Sequence, residues 1–103
     1  MNRDLRSIAG INRVIHEPAR LIIMAILYAI DRADFLYLLR ETGLTRGNLS
    51  AHLTRLEEAG YITIEKRFRG KIPQTICRLT DEGRHAFRQY RGDLKRAIEN
   101  IQE

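Results

Sequence analysis

The sequence predicts a mainly α chain with one small β-hairpin, an α+β fold in a single domain spanning residues 1–103. Three observations lead there. Apolar residues recur at helical spacing over most of the chain, which marks amphipathic helices. The stretch 61–79 instead concentrates β-branched and aromatic residues on either side of a glycine and a proline, the signature of a hairpin. The whole is 103 residues long and 44% hydrophobic, room for one core and no more.

The elements follow in chain order. Leu5, Ile8, Ile11 and Ile15 are spaced by three, three and four, so a first helix is expected from Asp4 to Ile15, weakened at Gly10. Glu17-Pro18 interrupts it, and Pro18 suits the first turn of a second helix running to Ile30. Leu21 to Leu27 is apolar on nearly every side, so this helix should be covered on most of its circumference. At ten residues, Leu21–Ile30 is about half of the roughly 20 a membrane span needs. Asp31 to Asp34 reads as a short polar loop ending in a cap for a third helix carrying Phe35, Leu38 and Leu39. Gly43 supplies the left-handed residue that ends it, Leu44 plugs the turn, and Thr45 caps a fourth helix from Arg46 to Ala59 with Leu49, Leu53 and Leu56 inward.

Beyond Gly60 the period changes. Tyr61 to Lys66 and Thr75 to Leu79 should pair as two strands around the basic tip Arg67 to Pro73. Thr80 then caps a last helix whose first turn holds Asp81 and Glu82, acids favoured by the helix dipole.

Charge narrows the partners. Lys and Arg total 18 against 13 Asp and Glu, a formal net charge of +5 that favours polyanions. The single cysteine, Cys77, forms no internal disulfide and anchors no cysteine-based metal site. No secretory leader is read in the first residues, so a soluble, cytoplasmic protein is expected. His16, His52 and His85 fall on three different elements without a repeated ligand spacing. No metal, no cofactor, no catalytic constellation and no membrane contact are therefore expected.

The order of four helices, hairpin and helix, with Thr42-Gly43-Leu44-Thr45-Arg46-Gly47-Asn48-Leu49-Ser50-Ala51-His52-Leu53, then Leu56-Glu57-Glu58-Ala59-Gly60-Tyr61-Ile62 and Leu79-Thr80-Asp81-Glu82-Gly83-Arg84, resembles the winged helix-turn-helix transcriptional regulators. It is most similar to small single-domain members of the MarR and ArsR families. The resemblance implies a helix-turn-helix over 34–59, a wing over 61–79, and terminal helices, 1–16 and 81–103, that make a homodimer. It implies double-stranded DNA as partner and, most often in those families, repression. The thiolate pair of the ArsR metal-sensing site has no counterpart in the third helix, Phe35 to Glu41, so metal sensing is not carried over.

On the recognition helix, the face opposite the leucines carries Gly47, Asn48, Ala51, Thr54, Arg55 and Glu58, small and polar enough to approach a major-groove floor. Asn48 and Arg55 can make bidentate hydrogen bonds to adenine and guanine edges. Arg46 stands in the first turn, Ser50 on the flank, and His52 reads either as a partly buried structural residue or as a DNA contact. Lys66, Arg67, Arg69 and Lys71 on the wing suit phosphates or the minor groove, or simply keep the hairpin edges from pairing with other chains. Phe68 is the one aromatic among them, which ranks single-strand stacking lower.

For the homodimer, Phe87, Tyr90, Leu94, Ala97 and Ile101 are spaced like a coiled-coil seam, with Leu5, Ile8 and Ile15 as a second stripe. Cys77 shares a hairpin face with Leu79, so a buried, inert thiol is expected in preference to a redox switch. The alternative to an operator-binding homodimer is a winged helix that serves as a protein- or RNA-interaction module. The operator, the sign of regulation and any small-molecule effector lie beyond this sequence.

Overall fold

The computed structural model describes residues 5–101 and contains four α-helices, a three-stranded antiparallel sheet and a short 3-10 segment, Leu5–Gly10. The helices are α1 (Pro18–Ile30), α2 (Phe35–Thr42), α3 (Arg46–Glu58) and α4 (Asp81–Asn100), and the strands are β1 (Arg32–Asp34), β2 (Ile62–Arg69) and β3 (Ile72–Leu79). Helix starts coincide with side chains that accept otherwise unpaired backbone N–H groups, each worth about 1 kcal/mol. Asp34 accepts from Tyr37 N at 2.7 Å, Thr45 from Asn48 N at 3.2 Å and Thr80 from Gly83 N at 2.9 Å. Glu17 does the same for α1, accepting from Ala19 N at 2.6 Å, with Pro18 in the first turn.

The expected first helix is not an α-helix. Its start, Asp4, and the rest of residues 1–4 lie outside the described residues, as does the side chain of Leu5. After the 3-10 segment the chain turns at Asn12, whose Oδ1 accepts from the backbone N–H of Val14 at 3.0 Å and of Ile15 at 3.1 Å. A side chain that supplies these acceptors competes with the helical carbonyls, and Gly10 lowers the cost of leaving the helix. Asn12 Nδ2 also donates to the Tyr61 hydroxyl at 2.8 Å, which fixes the turn against the β2 end of the sheet.

Expectation and structure differ at α1 as well. Ile23, Met24 and Leu27 are fully buried, but Ile22 and Ile30 are each 46% exposed, so neighbours cover one face and not most of the circumference. The core gathers that face with Leu38 of α2, Leu49, Leu53 and Leu56 of α3, Ile62, Cys77 and Leu79 of the sheet, and Phe87, Tyr90 and Ala97 of α4.

This core also corrects the expected seam. Ile15, Phe87 and Tyr90 are buried inside the protomer, where the Phe87 ring packs at a tilt against Tyr28 with centroids 5.1 Å apart and the Tyr90 hydroxyl lies 2.8 Å from His16 Nδ1. Little of their surface is left to face a second copy. Ile8 and Ile101 remain exposed and Leu94 is half-buried. Leu94 joins Ile98, which is 59% exposed, in a shallow groove along α4 rimmed by Arg88, Arg91 and Lys95.

In the sheet the order is β1-β3-β2. The polar stretch read as a loop is β1, pairing Arg32 with Arg78 and Asp34 with Ile76. Three residues carry no usable period, so only the tertiary pairing makes them a strand. The hairpin strands extend further than expected: Arg69 pairs with Ile72, leaving Gly70 and Lys71 as a two-residue turn. A positive φ at Gly70 and none at Lys71 is the pattern of a type II′ turn, whose twist matches that of the strands. Pro73 is tolerated because β1 reaches only as far as Ile76, leaving that side of β3 open.

Candidate nucleic-acid interface

Helices α2 and α3 meet through a tight turn. Gly43, at φ 70°, donates its N–H to Leu39 O at 3.1 Å, and Thr42 Oγ1 donates to Leu38 O at 2.7 Å. The turn presents α3 with its leucines in the core and Gly47, Asn48, Ser50, Ala51, Thr54, Arg55 and Glu58 exposed, together with Arg46 in the first turn. His52 is set apart: it is half-buried, and its Nδ1 lies 3.1 Å from an Arg20 guanidinium nitrogen and 3.4 Å from Glu17 Oε2. Glu17 and Arg20 carry no motif that pairs them with His52 in the sequence.

Strand alternation sorts the wing into two faces. Ile62, Ile64, Lys66 and Phe68 share a face with their partners Leu79, Cys77, Thr75 and Pro73. The opposite face carries Glu65, Arg67 and Arg69 with Ile76, Gln74 and Ile72. At the base, the first face is core. Further out it forms one wall of a groove of about 430 Å³, lined by Arg46, Ser50, Leu53 and Thr54 of α3, Phe35 of α2, and Ile64, Lys66 and Thr75 of the hairpin. This groove brings together two sequence-selected cations, Arg46 and Lys66, and two sequence-selected hydroxyl-side residues, Ser50 and Thr54.

Thr75 was not singled out from the sequence, although its two-residue offset from Cys77 places it on the same face. Arg67, Arg69 and Lys71 lie away from the groove on the outer face and turn. Arg67 has an acidic neighbour, Glu65 Oε1 at 3.6 Å, so the tip is less purely cationic than its own residues suggest. Both partners are exposed, and such a pair contributes little.

A second cationic cluster stands on α4, outside this groove. Arg84, Arg88 and Arg91 of α4 surround the Tyr28 ring at 5.2, 5.8 and 5.6 Å, and Arg88 Nε donates to the Tyr28 hydroxyl at 2.9 Å. That hydrogen bond, with the surrounding positive charge, holds the phenol below its ordinary pKa. Cys77 is fully buried, and loss of water around it, helped by the negative charges of Glu57 and Asp34, pushes its thiol up to about 11. No helix among the described residues is long and apolar enough to cross a membrane.

Comparison with known proteins agrees with this architecture. The uncharacterized protein MJ0432 of Methanocaldococcus jannaschii is 34% identical over 91 residues, which cover 87% of this chain and 98% of that protein. The solved structure of a transcriptional regulator homologue from Pyrococcus horikoshii OT3 superposes with a TM-score of 0.88 at 27% identity, covering 95% of this chain and 99% of that one. An ArsR family transcriptional regulator, RHA00566, shares the fold at a TM-score of 0.57 and 17% identity over 99% of this chain and all of that one. A family model described as a winged helix DNA-binding domain matches residues 19–98. The chain therefore belongs to the winged helix DNA-binding domain family.

Proposed function

We infer that this protein is a cytoplasmic transcriptional regulator, a repressor, that binds double-stranded DNA sequence-specifically as a homodimer on an inverted-repeat operator. The observation that carries the reading is the continuity of α3 with the wing. A small, polar, exposed helix face and a cationic hairpin meet at one groove lined by Arg46, Ser50, Thr54, Lys66 and Thr75. In this reading α3 enters the major groove, Asn48 and Arg55 read base edges, and Arg46 and Lys66 hold the phosphate backbone that runs through the groove. Arg69 and Lys71 bind further phosphates out along the wing.

Dimer formation is supported by the apolar side chains left over once the protomer core is complete. Ile98 and Ile101 are 59% and 61% exposed near the end of α4, and Ile8 is 37% exposed in the 3-10 segment that packs on α4. Exposed apolar side chains on two packed elements are better covered than solvated if they form one patch. Two copies are also what selectivity requires, since one recognition helix reads only a few base pairs.

The test is the salt dependence of duplex binding. Exchanging Arg69 and Lys71 together for Ala should weaken binding to all duplexes alike and lower the slope of log affinity against log salt by about 0.9 for each phosphate no longer neutralised. An unchanged slope removes the wing from the interface.

A further inference from the structure

We propose that Phe68, at the outer end of the wing, is a wedge that enters the minor groove of duplex DNA and opens a base step, so that binding bends the duplex. The inference rests on the reading of the chain as a duplex-binding protein and adds to it a deformation of the DNA.

The position of the ring carries the argument. Phe68 is 71% exposed, so it contributes almost nothing to the protein's own core. Its cross-strand partner is Pro73, also exposed, and the two rings form an apolar tip where the hairpin has outrun β1, which ends opposite Ile76. Phe68 shares its face with Lys66 and Thr75, which line the groove against α3, so the tip lies on the recognition-helix side of the wing. Ile72 is nearly as exposed at 68%, but it belongs to the opposite face with Arg69.

Charge selects the occupant. Lys66 shares the face of this apolar tip, while Arg67 and Arg69 on the other face and Lys71 in the turn flank it along the chain, and an apolar centre with a cationic margin complements a base-pair stack walled by phosphates. Guarding a hairpin edge needs charges or proline and gains nothing from an exposed phenyl ring. With α3 in the major groove, a hairpin projecting beside it reaches the neighbouring minor groove. Phe and Pro are among the residues that minor-groove proteins insert between base steps, unstacking them and bending the duplex toward the major groove. Pyrimidine–purine steps yield most easily, so the wedge would also prefer such steps at a position that no hydrogen bond reads.

The experiment uses duplexes that the full chain recovers from a random-sequence pool, labelled at both ends with a donor and an acceptor, so that energy transfer reports the bend. The unmodified protein should shorten the end-to-end distance. Phe68→Ala should still bind, with affinity lowered by roughly tenfold, the scale of a single base-level interaction, and should leave the duplex straight. Phe68→Leu should retain the bend, because leucine also acts as a wedge, and Arg69→Ala should weaken binding without straightening the complex. A straight duplex with the unmodified protein, or a Phe68→Ala complex as bent as the parent, overturns the wedge while duplex binding stands. Recovery of no duplex at all overturns the DNA reading and the wedge with it. Tighter binding to the separated strands than to the duplex overturns the wedge by assigning the ring to stacking on unpaired bases.

Discussion

His52 Nδ1 stands 3.1 Å from a terminal guanidinium nitrogen of Arg20, fastening the middle of α3 to the start of α1. A guanidinium only donates, so in this contact Nδ1 is the acceptor. Arg20 is itself held by the carbonyl of Val14, and Glu17 Oε2 approaches the same imidazole nitrogen at 3.4 Å without a hydrogen bond of its own. Both an acceptor and a donor thus converge on Nδ1.

His52→Ala should therefore lower folding stability by about 1 kcal/mol, the usual net contribution of one hydrogen bond, and weaken binding to all duplexes alike. Urea unfolding and a base-preference profile check the two halves. A changed preference at one operator position would make His52 a base contact instead.

Asn48 and Arg55 are exposed on α3 and have no packing role, so Asn48→Ala and Arg55→Ala should leave the unfolding midpoint nearly unchanged. Each should relax base preference at one position per half-site, by ~1–3 kcal/mol of discrimination. Competitive binding to single-base operator variants measures it. Uniform weakening without relaxed preference would make that residue a phosphate contact.

Burial raises the Cys77 thiol to about 11, above the ordinary thiol range. The sign follows from linkage: with the folded pKa raised, its contribution to stability is fully present below the ordinary thiol pKa and is lost as pH climbs toward 11. Between those limits stability should fall by up to roughly 1.4 kcal/mol per pH unit on this account. Cys77→Ala should be less stable at neutral pH and lack that component, so the difference between the two unfolding curves should narrow above pH 9. Parallel curves would contradict the assignment. The same burial predicts that mild oxidant leaves duplex binding unchanged.

Two glycines on α4 should respond oppositely to alanine. A Cβ on Gly83 would clash with the Tyr61 carbonyl oxygen, the acceptor of the Thr80 N–H at 3.0 Å, so the α3–β2 corner would have to move. Gly83→Ala should cost on the order of 1–3 kcal/mol, as overpacking does. At Gly92 the nearest atom belongs to the exposed Arg96 guanidinium at 3.5 Å, the far end of a long side chain, and Gly92→Ala should gain about 0.5–1 kcal/mol from helix propensity. Equal effects at the two sites, read by thermal unfolding, would refute this packing.

What the sequence reveals about this fold depends on how local the cause is. The starts of α2, α3 and α4 were legible because Asp34, Thr45 and Thr80 act on N–H groups three residues away. The 3-10 segment was not, because the apolar spacing of Ile8, Ile11 and Ile15 satisfies a helix equally well until Asn12 is seen to take two backbone N–H groups for itself. β1 exists only through its pairing with β3, a contact with no local signature. The stripe on α4 was legible as apolar but not as to destination. The same spacing serves a protomer core or a seam between copies, and Phe87 and Tyr90 belong to the core while Ile101 does not. In the interface, the exposed face of α3 follows from its period, whereas the link of His52 to Glu17 and Arg20 depends on how α1 crosses α3.

If two copies present two α3 helices to one stretch of duplex, the sequences recovered by selection from random duplex DNA carry the mark of that symmetry. Recognition helices related by a two-fold axis predict an inverted repeat with half-sites about one helical turn apart, ~34–36 Å or a multiple of it. Recovery of a single, non-repeated site bound tightly by a protein that sediments as a monomer, or of no preferred sequence, would contradict it.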